Sequence, residues 1–249
     1  MEKYTLRPVA HIRSDYNEKF GIPRQPGLVS LEQAVVIDPE FRNADALRGL
    51  EDFTHIWLIW GFSANEVNME ADTVKWSPTV RPPRLGGKIR KGVWATRSPY
   101  RPNSLGMSCV RLVRIEHGGR PVSSTEGIGE TQEELAIIVS GADMMNGTPV
   151  YDIKPYIPYS DCHPEAGGGF TDTAEFRRLR VEFPEELLGL IDADKREGLI
   201  CVLESDPRGA YEKQPGYTYG MSFGKWDIKF AVDGDVLKVT DVAGTRADI

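Results

Sequence analysis

Cysteine is scarce: Cys109, Cys162 and Cys201 are the only three in 249 residues. Thiols so few and so far apart fit neither a disulfide framework nor a cysteine-rich zinc site. Long apolar runs are missing too. No stretch approaches the roughly 20 residues that cross a bilayer, and the opening MEKYTLRPVAHIRSDY lacks the apolar core of a signal peptide. A cytoplasmic protein with no membrane span and no metal is expected. Several enzyme signatures are absent: the Walker-type phosphate loop, the strand-Gly-x-Gly-x-x-Gly-helix unit, His-Glu-x-x-His and the Gly-x-Ser-x-Gly elbow. The triplet Gly167–Gly169 does not follow a strand, so it is no dinucleotide fingerprint. One further absence is local. Between Thr73 and Ile115 stand ten Lys or Arg and no Asp or Glu, while the whole chain carries −7, which leaves −17 for the remainder.

What is present is organised around Ser77 to Met107, SPTVRPPRLGGKIRKGVWATRSPYRPNSLGM. Arg81, Arg84, Lys88, Arg90, Lys91, Arg97 and Arg101 lie in it, punctuated by Pro82-Pro83, Pro99 and Pro102, with Gly86-Gly87 between. The run Val93-Trp94-Ala95 reads as a short strand between basic loops. Two readings compete for this stretch: a solvated loop with its arginines in water, or a rigid surface for a polyanion such as RNA. The prolines and glycines favour the second, because a merely soluble loop does not need its backbone fixed.

In chain order, residues 4–13 predict an edge strand interrupted by Pro8. Pro23 and Pro26 then bracket Arg24-Gln25, and because proline fixes φ, these two read as displayed side chains as readily as a plain turn. Strands are predicted at 34–37, 53–62, 107–115 and 135–140, and after the Asn146-Gly147 turn; residues 40–50 predict a brief helix or turn closing at Gly49. His55 suits a hydrogen-bonded core residue better than a catalyst, and Trp57 and Trp60 suit core better than base stacking. Short strands without intervening helices predict an all-β barrel or sandwich over 1–160. The Gly- and Pro-rich stretch 161–172 predicts a linker, and 173–249 a small α+β domain. Its helix is predicted from Pro184 to Leu203, weakened and open to splitting at Gly189 and Gly198, with strands at 221–232 and 235–242 joined at Asp233-Gly234.

The residues alone reach a β-rich protein with a basic, rigid-looped face for RNA or a nucleotide. The segments PRQPG at 23–27, TVRPPRLGG at 79–87, GVWATRSPYRPNSLGMS at 92–108, NGTPVYDIKPYIPY at 146–159 and SDPRGAY at 205–211 take it further. In order and spacing they resemble the TrmO-type (YaeB-like) tRNA methyltransferases over nearly the whole chain. That resemblance implies a non-Rossmann β-barrel that binds S-adenosylmethionine (SAM), followed by a small α+β domain. It further implies a homodimer, and methyl transfer to N6 of N6-threonylcarbamoyladenosine beside the tRNA anticodon.

By the same resemblance, cofactor contacts fall to Pro23, Arg24, Gln25, Ser63, Ala64, Arg97, Leu105, Gly106, Met107, Ser140, Gly141, Ala142 and Asp143. Arg97 suits the cofactor carboxylate as a fork, and Asp143 suits ribose hydroxyls. The basic residues Arg81, Arg84, Lys88, Arg90, Lys91 and Arg101 fall to the anticodon loop, whose unpaired bases are cheaply drawn into a pocket. The acceptor nitrogen must lose a proton. Asp206 and Tyr211 are the candidates to take it, and Arg208 the candidate to bind the threonyl carboxylate or a phosphate; a purely structural turn at Asp206-Pro207 is the competing reading. The chain departs from the family pattern at Phe62-Ser63-Ala64, Asn146 and Gly209. A non-catalytic RNA-binding module, or a methyltransferase for another substrate, are the alternatives.

Overall fold

The computed structural model describes residues 5–63, 76–85, 88–118, 134–173, 178–208 and 216–244. Six antiparallel strands close into a barrel. In chain order they are β1 (Ala10–Arg13), β2 (Glu32–Ile37), β3 (His55–Gly61), β6 (Leu105–His117), β7 (Leu135–Ser140) and β8 (Pro149–Pro155), and around the barrel they run β1-β2-β7-β6-β3-β8. The ring shuts where Ala10 faces Val150 and His11 faces Pro149. Side chains alternate across a strand. On β3, Ile56, Leu58 and Trp60 therefore enter the core with Val35, Val110, Ile137, Val139 and Val150. Register shifts between Leu112 and Arg114 on β6, which lets this 13-residue strand bend while it pairs with both β3 and β7.

The basic stretch is a flap on this barrel. It is built from β4 (Thr79–Val80) paired with β5 (Lys91–Gly92) and from 3-10 turns at Pro83–Leu85 and Val93–Ala95. Val93–Ala95 was expected to be a strand. It turns instead because Val93 drops into the core at 0% exposure while Thr96 Oγ1 donates to the Val93 carbonyl and caps the turn.

Beyond β8 come α1 (Pro158–Asp161), β9 (Arg180–Glu182), α2 (Glu185–Leu188) and α3 (Arg196–Glu204), then β10 (Thr218–Phe223), β11 (Trp226–Asp233) and β12 (Val236–Gly244). The four strands form a sheet in the order β10-β11-β12-β9, with β9 parallel to β12. The predicted single helix is indeed two, broken after Gly189, whereas Gly198 lies inside α3. The predicted strand over 221–232 is also two, turned at Gly224, whose φ is +54°. The opening strand is shorter than predicted and begins after Pro8.

One result was not legible from composition. Residues 14–31, between β1 and β2, share their core with the C-terminal sheet rather than the barrel: Tyr16, Val29 and Leu31 pack with Leu199, Met221, Phe223 and Phe230. Asp15 and Lys195 form a buried ion pair at 2.6 Å, with side chains 1% and 4% exposed. The Gly224 amide donates to the Asp15 carbonyl, and the Ser222 amide to Glu18 Oε1. The 14–31 segment thus packs across the predicted boundary at 161–172.

Gly198 tests this docking. A Cβ there would lie 2.3 Å from Leu31 Cδ2 and 2.4 Å from its Cγ. Helix propensity alone favours alanine by about 1 kcal/mol. The crowding opposes it, so Gly198→Ala is expected to destabilise the fold by about 1–3 kcal/mol, read as a lower urea midpoint at unchanged slope. A stabilised variant would mean that Leu31 does not sit against α3.

Candidate active site

A cleft of about 1660 Å³ opens where the flap overhangs one end of the barrel. Four segments wall it: the Pro23–Pro26 loop, the barrel ends carrying Trp60, Phe62, Ser63, Leu105–Met107 and Asp143, the flap, and Gly168–Thr171. The last belongs to the expected linker. It is a wall as well as a connection, since Phe170 lies 5.8 Å beneath the Lys91 ammonium.

Asp143 sits on the floor. It follows the β7 exit, where Gly141 holds φ +89° and its amide and carbonyl bind the Leu31 carbonyl and Gly27 amide. A Cβ on Gly141 would press on Gly27 at 3.2 Å, so only glycine brings the 27–31 segment this close. Ser108 Oγ donates to Asp143 Oδ1 at 2.5 Å, and Trp60 Nε1 donates to Ser108 Oγ at 2.9 Å. The Trp60 indole in turn needs Gly106, because a Cβ there would meet it at 2.3 Å. Burial pushes the Asp143 carboxyl up to about 6, against the Ser108 hydrogen bond, a backbone hydrogen bond and the field of Arg97, which pull it down. Across the cleft Arg97 Nη1 donates to Gln25 Oε1 at 2.7 Å, which ties the flap to the Pro23–Pro26 loop.

The structure therefore gathers Pro23, Arg24, Gln25, Ser63, Arg97, Leu105, Gly106, Met107 and Asp143 on one cleft. Ser140, Gly141 and Ala142 are not on its wall. They act from behind: Ala142 is in the barrel core, and its carbonyl accepts from Gln33 Nε2. Arg24 reaches the cleft, yet its guanidinium also donates to the backbone carbonyls of Arg208 at 2.9 Å and Asp206 at 3.5 Å. Asn146, where the family pattern has Asp, accepts the Ser14 amide through Oδ1. Either residue offers that oxygen.

Asp206 and Arg208, expected to take the proton and to bind an anion, are not on the cleft wall. Arg208 is 6% exposed, and its guanidinium grips Asp206 through two bonds of 2.7 and 3.1 Å and lies 5.7 Å from the Tyr219 ring centre. This pairing braces the turn. Asp206 is left-handed at φ +53°, a conformation that costs a non-glycine residue about 1–2 kcal/mol and that this pairing holds in place. Tyr211, Ala64 and Gly209 lie outside the described residues, as does the Arg84 side chain.

Among the described residues, several cations elsewhere take carboxylate partners, whereas those of the flap do not. Arg13 pairs with Glu134 and Arg114 with Glu32 and Glu116. Arg90 instead donates to Thr79 Oγ1, Arg101 to the Thr96 and Ser98 carbonyls, and Arg97 to Gln25. Among the described residues no carboxylate pairs with Arg81, Lys88, Arg90, Lys91, Arg97 or Arg101. All but Lys88 line the cleft.

Sequence reasoning missed the Trp60–Ser108–Asp143 chain. Its signal was a serine at an inward position of β6 among apolar neighbours, which in a closed barrel must find a partner.

A folded-state value of about 6 exceeds the ordinary carboxylate value of 3.8 for Asp143. Its contribution to stability is therefore complete below pH 3.8 and lost as pH rises through about 6. Asp143→Asn keeps the acceptor for Ser108 and is expected to be more stable than the parent at pH 7–8, by up to about 3 kcal/mol. The gap should close below about pH 4. Denaturant melts across this range decide it, and equal stability at every pH would overturn the assignment.

Comparison with known proteins agrees with this architecture. Residues 11–162 match the family model for the tRNA-methyltransferase O N-terminal domain, and residues 177–245 the TrmO C-terminal domain. An Escherichia coli K12 protein named tRNA (adenine(37)-N6)-methyltransferase is 36% identical, over 93% of this chain and 94% of its own. A Pseudomonas aeruginosa protein named as a putative S-adenosylmethionine-dependent methyltransferase is 35% identical over 97% and 98%. A crystal structure of TrmO from Pseudomonas aeruginosa superposes with a TM-score of 0.71 at 30% identity, covering 98% of both chains. With a closed six-stranded barrel, a small C-terminal sheet and both family domains in order, this chain belongs to the tRNA-methyltransferase O family.

Proposed function

We infer that this chain is a SAM-dependent tRNA methyltransferase acting at N6 of adenosine 37, and that its acceptor is N6-threonylcarbamoyladenosine. The observation that carries the reading is the cleft, where one partly buried carboxylate and one guanidinium face each other beneath a rim of cations that have no acidic partner among the described residues.

The residues present fit SAM. Its carboxylate suits Arg97, already presented by Gln25. Its ribose hydroxyls suit Asp143, which Ser108 leaves with acceptor capacity. The apolar adenine suits the Trp60 and Phe62 edges, whose rings lie 4.4 Å apart. When bound, SAM would supply a methyl on a sulfonium: the carbon–sulfur bond breaks as the carbon–nitrogen bond to N6 forms, and N6 gives up its proton to a base, for which Asp206 and Tyr211 are the candidates. Such a displacement needs alignment and water exclusion more than metal chemistry. The chain's part is to hold the cofactor from both ends and to position the acceptor against it.

The threonylcarbamoyl group brings a carboxylate. With Arg208 buried, the groups to meet it are Arg90 and Lys91 on the flap. We assign residues 1–160 to the cofactor domain, 161–172 to the connection and 173–249 to the small domain, with 14–31 lent to the latter's core. A homodimer accords with the apolar side chains that one copy leaves in water, Met107 at 51% and Tyr159 at 91% exposure. A tRNA acceptor implies work in the cytoplasm.

Titration calorimetry with SAM is the direct test. One-site binding is expected, weakened roughly ten- to a hundredfold by Arg97→Ala, as loss of a charge-assisted contact predicts. Affinity should fall as pH drops through about 6, where Asp143 protonates. Methyl transfer is then expected to tRNA carrying the threonylcarbamoyl group and not to unmodified tRNA. Equal rates on both would overturn the finer substrate. A folded protein that binds RNA but no SAM would be an RNA-binding module instead.

A further inference from the structure

The flap carries two tryptophans that the core does not use. Trp60 and Trp226 are 5% and 4% exposed, as expected for the largest apolar side chain, whereas Trp94 is 69% and Trp76 47% exposed. Their rings face one another with centroids 6.4 Å apart and planes 26° from parallel, so they make a two-ring shelf. The shelf is fixed from below. Trp94 rides the Val93–Ala95 turn, anchored by fully buried Val93. The Arg101 guanidinium, itself held by the Thr96 and Ser98 carbonyls, lies 5.6 Å from the Trp94 ring centre. Trp94 stands on the rim, next to Arg101 and Tyr100, whereas Asp143 and Trp60 lie on the floor.

Two indoles in water, one of them under Arg101 on a cleft whose flap cations have no carboxylate partner among the described residues, fit a ligand that is both planar and polyanionic. Single-stranded RNA is such a ligand: every base has a π-face, and stacking on an aromatic ring tolerates any sequence. We propose that Trp94 and Trp76 form a stacking platform for an unpaired base of the anticodon loop flanking the acceptor nucleoside, holding the loop open while that nucleoside enters the cleft. The proposal rests on the tRNA reading above. It makes the two tryptophans positioning residues that bind neither the cofactor nor the reacting atoms.

The test is fluorescence and filter binding with an anticodon stem-loop RNA carrying the modified adenosine. For the parent protein, RNA is expected to quench tryptophan emission. Trp94→Ala should weaken RNA binding about ten- to a hundredfold, as loss of one stacked base predicts, and Trp94→Phe should recover most of it. Trp76→Ala, further from the cleft, should lose less. The dependence of affinity on salt should keep its slope, because no phosphate contact is removed; charge reversal at Arg81 would flatten it instead. SAM affinity should not move with Trp94→Ala, and the defect should appear in KM for RNA at little cost to kcat. Three outcomes overturn the proposal: RNA affinity unchanged in Trp94→Ala, a lower salt slope, or a shift in sedimentation showing that the tryptophans bury against a second copy of the chain. A parent protein that binds SAM but no RNA would overturn the tRNA reading along with it, whereas parent binding with an indifferent Trp94→Ala would overturn the platform alone.

Discussion

Two neighbouring residues hold the halves of this molecule together. Ser14 belongs to the barrel: its amide donates to Asn146 and its hydroxyl to the Met144 carbonyl. Asp15 belongs to the C-terminal sheet through Lys195 and Gly224. Burying two charges costs several kcal/mol each before their attraction repays it, so such a pair adds little net stability over a well-packed apolar pair. What it does is forbid alternatives. Separating the sheet from the 14–31 segment would leave a bare charge in an apolar core, and that penalty fixes the register in which the segment docks. The Pro23–Pro26 wall of the cleft hangs from this segment, braced at one end by Arg24 on the Arg208 carbonyl and at the other by Gly27 on Gly141. The cleft thus depends on the small sheet although none of the sheet's strands line it.

A barrel end is a suitable place to build such a site. Closure satisfies every ladder bond, which leaves strand ends and loops to carry chemistry on a rigid frame. The missing glycine fingerprint follows from the same logic. A helix N-terminus framed by glycines suits a phosphate, and a sulfonium cofactor has none; in the reading proposed above its carboxylate and hydroxyls fall to Arg97 and Asp143 instead.

The barrel was legible because its strands alternate cleanly. Ile56, Leu58 and Trp60 point one way along β3, and Asn146-Gly147 announces its turn with Gly147 at φ +76°. The floor and walls of the cleft were legible only through family resemblance, since nothing local to Arg97 or Asp143 says that they meet. Three features escaped. Val93–Ala95 looks like a strand in isolation and becomes a turn because Val93 has a hole to fill. Residues 14–31 look like a loop and are core, because their apolar positions have no period and acquire meaning only against a distant sheet. Arg208 looks displayed and is buried, because its partner Asp206 lies two residues away and the pair packs inward. Each miss has one cause: tertiary packing assigned a task that local pattern does not encode.

The charge run shows what structure adds to composition. A count of cations cannot separate a solvated face from a binding face, because either reading tolerates the same residues. Partner choice can. A protein with −17 outside this stretch has carboxylates to spare, and Arg7, Arg13, Arg48 and Arg180 all use them. Arg90, Arg97 and Arg101 on the flap are held too, but by carbonyls, a hydroxyl, an amide and a ring, all neutral. Neutral acceptors fix the geometry of a guanidinium without cancelling its charge. A solvated face would gain nothing from that restraint and would lose side-chain entropy to it. A surface that must meet a polyanion in one orientation gains pre-organisation, which lowers the ordering cost of each contact. The order in the flap, more than its basicity, is what supports the nucleic-acid reading proposed above.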